Sequence, residues 1–340
     1  MHKDVKKGDR ILIEDGIYEV KVVKVSGKDV ITKVVNGGVV TSHKGMNFPD
    51  TTLSVDPITT KDKADAKFAI SEKVQWVAMS FVTRPEDVKR MRKMIGDKAK
   101  IIVKIEKHEA LKKFDAILVA ADAIMVARGD LGVETPAEDV PLRQKEMIAK
   151  CRAAGKPVVV ATQMLDSMMR NPRPTRAEVS DVANAVIDHT DAVMLSGESA
   201  TGKYPVEAVE MLRKIAIDTE ASTFDDLQIS SGQMKSKEEI VAGMIAVLSR
   251  IKQIDAIIST PSLAGRLNQF RPEVPIYLAC KTESEARAWN IRWAVRPFVA
   301  TSLDALVKVL RTKKLLKKGM AVAIVTQAHK QDPEIELHEI

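Results

Sequence analysis

Lys104-Ile105-Glu106 and, further on, Arg128-Gly129-Asp130-Leu131-Gly132 place charge where short apolar runs end. Parallel α/β sheets and barrels keep their chemistry at the C-terminal ends of strands. Two carboxylates at neighbouring strand ends, with an open coordination sphere, suit Mg2+ or Mn2+, which keep waters and share substrate oxygens. Glu106 and Asp130 are therefore candidate ligands for one hard cation, with Lys104 beside them. The small residues around Asp130, entering a helix, leave backbone N–H groups free for a carboxylate or phosphate. Thr162, in Val160-Ala161-Thr162-Gln163-Met164-Leu165, ends a third apolar run and offers a hydroxyl to the same place. Plainer readings stand beside these: Glu106 pairs with Lys104 or Lys107, Asp130 N-caps a short helix, and Thr162 is a satisfied core hydroxyl. The six His are scattered, so histidine-rich zinc chemistry is not offered.

Such residues need strands to carry them. From residue 57 onward the period alternates between helix and strand: helix 61–73, strand 76–81, helix 85–95, strand 101–106, helix 109–120, strand 124–126, helix 142–154, strand 157–161, helix 176–188, strand 192–195 and helix 205–221. That repetition predicts a parallel sheet or a (β/α) barrel. Thr175 to Glu178 reads as a capping box after the proline loop that begins at Asn171. Glu198, at the end of the last strand, is placed to order neighbouring groups.

Residues 1–56 are rich in Val and Ile, with turn signals at Glu14-Asp15-Gly16, Ser26-Gly27-Lys28-Asp29 and Asn36-Gly37-Gly38, and read as a small all-β module. It ends in Lys44-Gly45-Met46-Asn47-Phe48-Pro49. Residues 222–237 are polar and read as a linker. Beyond them a second α/β domain, 238–340, runs through helix 238–250, strand 256–259, and the segments 276–279, 286–291, 303–316 and 321–325.

The 340 residues, 45% hydrophobic, describe a globular protein of two or three domains. A net charge of +7 fits nucleic acid, membrane surfaces or phosphorylated metabolites. Basic and acidic residues are interspersed and aromatics are only 4%, which favours metabolites over nucleic acid. Cys151 and Cys280 form no CxxC pattern and read as reduced thiols. No run has the length of a membrane-spanning helix, no secretory h-region is visible, and the expected compartment is the cytoplasm.

Taken together, these stretches resemble the pyruvate kinase family across essentially the whole chain. The resemblance is carried by 8–16 and 44–49 in a lid-like B domain, by Lys104-Ile105-Glu106, 125–134, 161–165, 172–184 and 194–200 in the barrel, and only loosely by the last hundred residues. It implies phosphoryl transfer from phosphoenolpyruvate to ADP, giving pyruvate and ATP. Glu106 and Asp130 would hold the divalent ion, Lys104 would neutralise the transferring phosphoryl group and the developing enolate, and Gly129 and Asp130 would offer N–H groups to the substrate carboxylate. Thr162 would stand beside the methylene carbon on the proton-delivery route, and Lys44 would reach the nucleotide phosphates. The family also uses K+ and assembles as tetramers, so a homo-oligomer is expected.

The resemblance also marks what is not found. Against it the chain opens inside the lid and supplies five of eight barrel strands, so the expected fold is α/β: a partial TIM barrel with open strand edges, an incomplete lid at 1–56, barrel residues at 57–221 and a C-terminal domain at 238–340. The phosphate-binding arginine and the Asn, Ser, Asp and Thr of the K+ site are not matched, which implies impaired turnover. Ser259 to Arg266 departs from the family's phosphate-binding loop, against control by a sugar phosphate. A shortened, non-catalytic paralogue that serves a longer subunit as structural or regulatory partner, and a metal-dependent aldolase acting through a pyruvate enolate, remain alternatives.

Overall fold

The computed structural model describes residues 1–42, 44–227, 234–327 and 332–340. Residues 228–233 of the expected linker lie outside the described residues. The Val- and Ile-rich beginning builds an antiparallel sheet of β1 (Arg10–Ile13), β2 (Tyr18–Ser26), β3 (Asp29–Asn36) and β4 (Met46–Asn47), in the order β3-β2-β1-β4. The turn between β1 and β2 takes three successive left-handed residues, Glu14, Asp15 and Gly16, at φ 55°, 54° and 86°. Val5, Ile11, Val22 and Phe48 close a small core under this sheet.

The alternating segment follows: α1 (Thr60–Ser71), β5 (Trp76–Met79), α2 (Pro85–Ile95), β6 (Lys100–Ile105), α3 (His108–Lys112), α4 (Phe114–Ala120), β7 (Ala123–Ala127), α5 (Arg128–Glu134), α6 (Val140–Ala153), β8 (Val158–Ala161), α7 (Arg176–Ile187), β9 (Ala192–Met194), α8 (Gly197–Ala200) and α9 (Pro205–Glu220). The strands lie in sequential order, β5-β6-β7-β8-β9, and the β5–β6 and β6–β7 pairs are parallel. Every residue of β7 and β8 is buried, as in a sheet covered on both faces. Each such Ile or Val contributes roughly 1.5–3 kcal/mol by leaving water. The helices are fixed locally. Pro85 opens α2 and Gly96, at φ 61°, ends it, while Thr59 with Asp62 and Thr175 with Glu178 make complete capping boxes.

Two of the departures from expectation have visible reasons. The helix expected at 109–120 breaks at Lys113 (φ −114°), and the new start turns Phe114, Ile117 and Leu118 inward. The strand expected at 76–81 stops at Met79 because Phe81 takes a left-handed backbone, φ 56°.

The last third forms α10 (Lys237–Arg250), β10 (Ala256–Ser259), α11 (Pro261–Gln269), β11 (Ile276–Cys280), α12 (Glu283–Trp289), β12 (Val295–Val299), α13 (Leu303–Thr312), β13 (Ala321–Thr326) and β14 (Glu334–Glu339). The sheet order is β12-β11-β10-β13-β14, parallel except for the β13–β14 hairpin pair. One face packs Ile257, Leu278 and Ala323 under α10 and α11, and the other packs Ile258, Tyr277 and Val322 against Leu306 and Leu310 of α13. Pro297 is tolerated in β12 because that strand stands at the end of the order.

The chain forms two compact units. One comprises Met1–Met147, Val160–Arg170 and Met194–Pro205, the other Ile148–Val159, Asn171–Val193 and Val206–Ile340. Their bounds fall within α6, β8, β9 and α9 and between Arg170 and Asn171. Within the second unit, Asp191 before β9 is joined to Arg271 after α11, which binds part of the alternating segment to the C-terminal sheet.

Candidate active site

Lys104 is the penultimate residue of β6 and Glu106 follows its end. Alternation along the strand puts both side chains on one face. Glu106 is 1% exposed, and its Oε1 lies 2.5 Å from Lys104 Nζ. The same ammonium donates to Ser80 Oγ at 3.0 Å. Glu106 Oε2 accepts the Phe81 N–H at 2.7 Å, whereas among the described residues Oε1 accepts no hydrogen bond and is met only by the ion pair. The Lys104–Glu106 pairing therefore forms, while Lys107 turns instead to Glu134, at 2.5 Å.

Asp130 does not cap a helix. The N-cap of α5 is Ala127, and Asp130 sits in the first turn, half-buried. Burial raises its carboxyl above the usual range, the Glu106 charge raises it further, and Lys104 partly offsets both. Asp130 thus feels the Glu106 charge. The Gly129 N–H donates to Thr162 Oγ1 at 2.7 Å, and that hydroxyl donates to the Ala161 carbonyl at 2.6 Å. Thr162 and Gln163 are both left-handed, at φ 68° and 54°. Backbone of this kind in non-glycine residues persists only where surroundings enforce it. Arg128 supplies part of that enforcement, donating to the Thr162 and Gln163 carbonyls at 2.9 and 3.3 Å. Glu198, 2% exposed, accepts the N–H groups of Leu165 and Ser196 and fixes the next turn.

Lys44 pairs with Glu14 at 2.5 Å, and that hydrogen bond raises the ammonium above its ordinary range. The Glu14–Gly16 turn lies over α5: a Cβ on Gly16 would stand 3.8 Å from Val133, and Asp15 adds to the charge felt by Asp130. Asn47 donates to Glu134 at 3.2 Å and Thr52 to Glu109 at 2.7 Å, so the N-terminal sheet is tied to this end of β6 and β7. His108, Glu109 and Glu134 also gather here, their ligand atoms within 4.8 Å of one another, with Lys107 as counter-charge.

The structure thus brings Lys104, Glu106 and Asp130 into one electrostatic group, joins Gly129 to Thr162, and leaves Lys44 on Glu14. Sequence reasoning missed Ser80, Phe81, Arg128, Glu134 and the His108–Glu109 pair. Ser80 was legible as the polar residue ending an apolar run; the left-handed turn at Phe81 carried no signal. A cleft of about 840 Å³ opens beside β5 and α1, with Ser80, Phe81 and Glu109 in its lining, but Lys104, Glu106 and Asp130 do not line it. Cys151 and Cys280 are free and buried. Among the described residues no helix is long and apolar enough to cross a membrane.

Lys104 and Glu106 at the end of β6, with Asp130 in the first turn of α5 after β7, place a charged cluster at one end of a parallel α/β sheet. A family model described as "Pyruvate kinase, barrel domain" matches residues 1–209. Relatives named pyruvate kinase include those of Clostridium acetobutylicum, 42% identical with 94% of this chain and 70% of the relative covered, and Geobacillus stearothermophilus, 44% identical with 94% and 58% covered. The pyruvate kinase of Agaricus bisporus is 43% identical, with 86% and 57% covered. The chain belongs to the pyruvate kinase family. It spans 55–70% of the length of such relatives.

Proposed function

We propose that this chain carries the phosphoryl-transfer site of a pyruvate kinase, moving the phosphoryl group of phosphoenolpyruvate to ADP and leaving pyruvate and ATP. The observation that carries the reading is the grouping of Lys104, Glu106 and Asp130 at the ends of β6 and β7 in a chain of this family. The donor set fits a hard divalent cation. Glu106 Oε1 is buried without a hydrogen bond, Asp130 repels it, and two carboxylates leave room for substrate oxygens and water. Glu106 and Asp130 would hold Mg2+ or Mn2+, which when bound supplies charge neutralisation for the phosphoryl group. No residue is assigned to K+.

Phosphoryl transfer needs positioning and charge neutralisation more than covalent help. The Lys104 ammonium faces the phosphoryl group in flight and then the enolate oxygen left when the phosphorus–oxygen bond breaks. Gly129 and Asp130, in the first turn of α5, offer N–H groups to the substrate carboxylate. The Gly129 N–H exchanges its Thr162 acceptor for that carboxylate, which frees a Thr162 Oγ1 lone pair to take a proton relayed from solvent as the hydroxyl passes its own to the methylene carbon. The enolate takes that proton and becomes pyruvate. Lys44 leaves Glu14 for the nucleotide phosphates, carried on a lid formed by residues 1–56.

The domain reading is a partial barrel at 57–221 with a C-terminal α/β domain at 238–340, working in the cytoplasm as a homo-oligomer. β5 to β9 bring Lys104, Glu106, Gly129, Asp130 and Thr162 but no arginine assigned to the phosphate, so turnover by these residues alone is weak. The test is an assay of pyruvate from phosphoenolpyruvate and ADP with Mg2+ and K+, beside Mn2+ binding by water proton relaxation. Mn2+ binding lost in Asp130→Ala supports the site; unchanged binding overturns it. Robust turnover overturns the impairment.

A further inference from the structure

We propose that the Ser80–Phe81 turn at the end of β5 is a two-armed clamp that positions Lys104 and Glu106 together. One arm is the Ser80 hydroxyl, which accepts from Lys104 Nζ at 3.0 Å; the other is the Phe81 N–H, which donates to Glu106 Oε2 at 2.7 Å. The inference rests on the proposed role of these residues and adds positioning residues to it.

Three observations point the same way. Phe81 holds a left-handed backbone although the residue is 51% exposed, so burial does not enforce the conformation. Strained backbone in a non-glycine residue gathers at functional sites, and here it aims an N–H at a carboxylate that is 1% exposed. The two arms also divide the carboxylate. Phe81 fixes Oε2, leaving Oε1, among the described residues, to the ammonium.

That division has a chemical consequence. A cation taken up at Glu106 Oε1 competes with Lys104 for the same oxygen. An ammonium expelled from a buried carboxylate needs another acceptor, or its desolvation opposes binding. Ser80 Oγ is that acceptor, already at hydrogen-bond distance. The serine therefore lets the lysine give up Glu106 without leaving the site, and Phe81 keeps the carboxylate in place while the exchange occurs.

The test is a double-mutant cycle read as Mn2+ affinity by water proton relaxation on the full chain. Ser80→Ala is expected to weaken Mn2+ binding about ten- to a hundredfold, the size of one hydrogen bond to a charged group. Ser80→Thr, which keeps the hydroxyl, restores it. In a Lys104→Met background, Ser80→Ala should change nothing, because no ammonium remains to be received. An equal loss in that background means a merely structural serine and overturns the first arm. The second arm is read without metal, by amide exchange at Phe81. Exchange should quicken more than tenfold in Glu106→Ala and less in Glu106→Gln, which keeps an acceptor oxygen; unchanged exchange in both overturns it. If Mn2+ fails to bind the unaltered chain, the cation reading and the serine's part in cation exchange fall, and Phe81 exchange still decides whether the turn holds Glu106.

Discussion

Two clusters of buried charge, one in each compact unit, solve the same problem in opposite ways. Around Arg271, 3% exposed, the charges are closed on themselves: its guanidinium meets Asp191 through two nitrogens, at 3.1 and 2.9 Å, and also donates to the His189 carbonyl and to Asn268. Asp191 further accepts the N–H groups of Val158 and Trp293. Around Glu106 the account is left open. Oε1 has a lysine and no hydrogen bond, and a second carboxylate, Asp130, is pushed upward nearby. A closed cluster can only hold the fold, whereas an open one is ready for a ligand that brings the missing charge.

The sharpest way to break this comparison is Asp191→Ala. It leaves a buried guanidinium without its carboxylate, and a loss of roughly 3–5 kcal/mol is expected. Urea unfolding followed by circular dichroism, with amide exchange in β10 to isolate the second unit, should show it. A loss under about 1 kcal/mol would make the Arg271 cluster as replaceable as a surface pair.

Asp130→Asn should do the reverse. Removing an outer partner of a metal ligand typically costs 10–100-fold in affinity, so removing a ligand itself should cost at least about 100-fold in Mn2+ binding. Stability should rise, not fall. A carboxyl whose folded pKa is raised contributes stability at low pH that is lost as pH rises through that value, and the amide has no such loss. The expected signature is a higher Tm at pH 7 with Mn2+ binding gone. A lower Tm would place Asp130 with the structural charges.

How much of this was legible follows from the kind of signal each residue gives. The strands carrying Lys104, Glu106 and Thr162 were readable because buried parallel strands are unbroken apolar runs, and the capping box at Thr175 and Glu178 because it depends on spacing alone. The Arg271–Asp191 pair was not, since the partners lie 80 residues apart and either alone is an ordinary surface residue in sequence. Phe81 was taken for strand because a lone left-handed residue has no pattern, and its reason, the Glu106 carboxylate, stands 25 residues on. β14, a polar hairpin partner of β13, offered no apolar run to find.

The finest test lies at the margin of the closed cluster, where His189 Nδ1 stands 3.6 Å from Asp225 Oδ1. Burial raises Asp225 to about 7, helped by Glu220, Glu273 and Asp226 against Arg271, and burial lowers His189 to about 4, helped by Arg152, Arg271 and Arg250. The signs oppose each other. Folded Asp225 keeps a proton that the unfolded chain releases, so its contribution is present at low pH and lost as pH climbs from about 4 to about 7. His189 is held neutral, so its contribution is present above its ordinary 6.5 and lost as pH falls toward about 4. Between those values the two slopes cancel in large part, and thermal scans of the unaltered protein should vary little with pH there on their account. Asp225→Asn should expose the histidine, giving a Tm that rises with pH across the window. His189→Asn should expose the aspartate, giving a Tm that falls. Parallel slopes in both variants would mean that the pair does not titrate as opposed partners, and that the closed cluster ends at Asp191 rather than reaching Asp225.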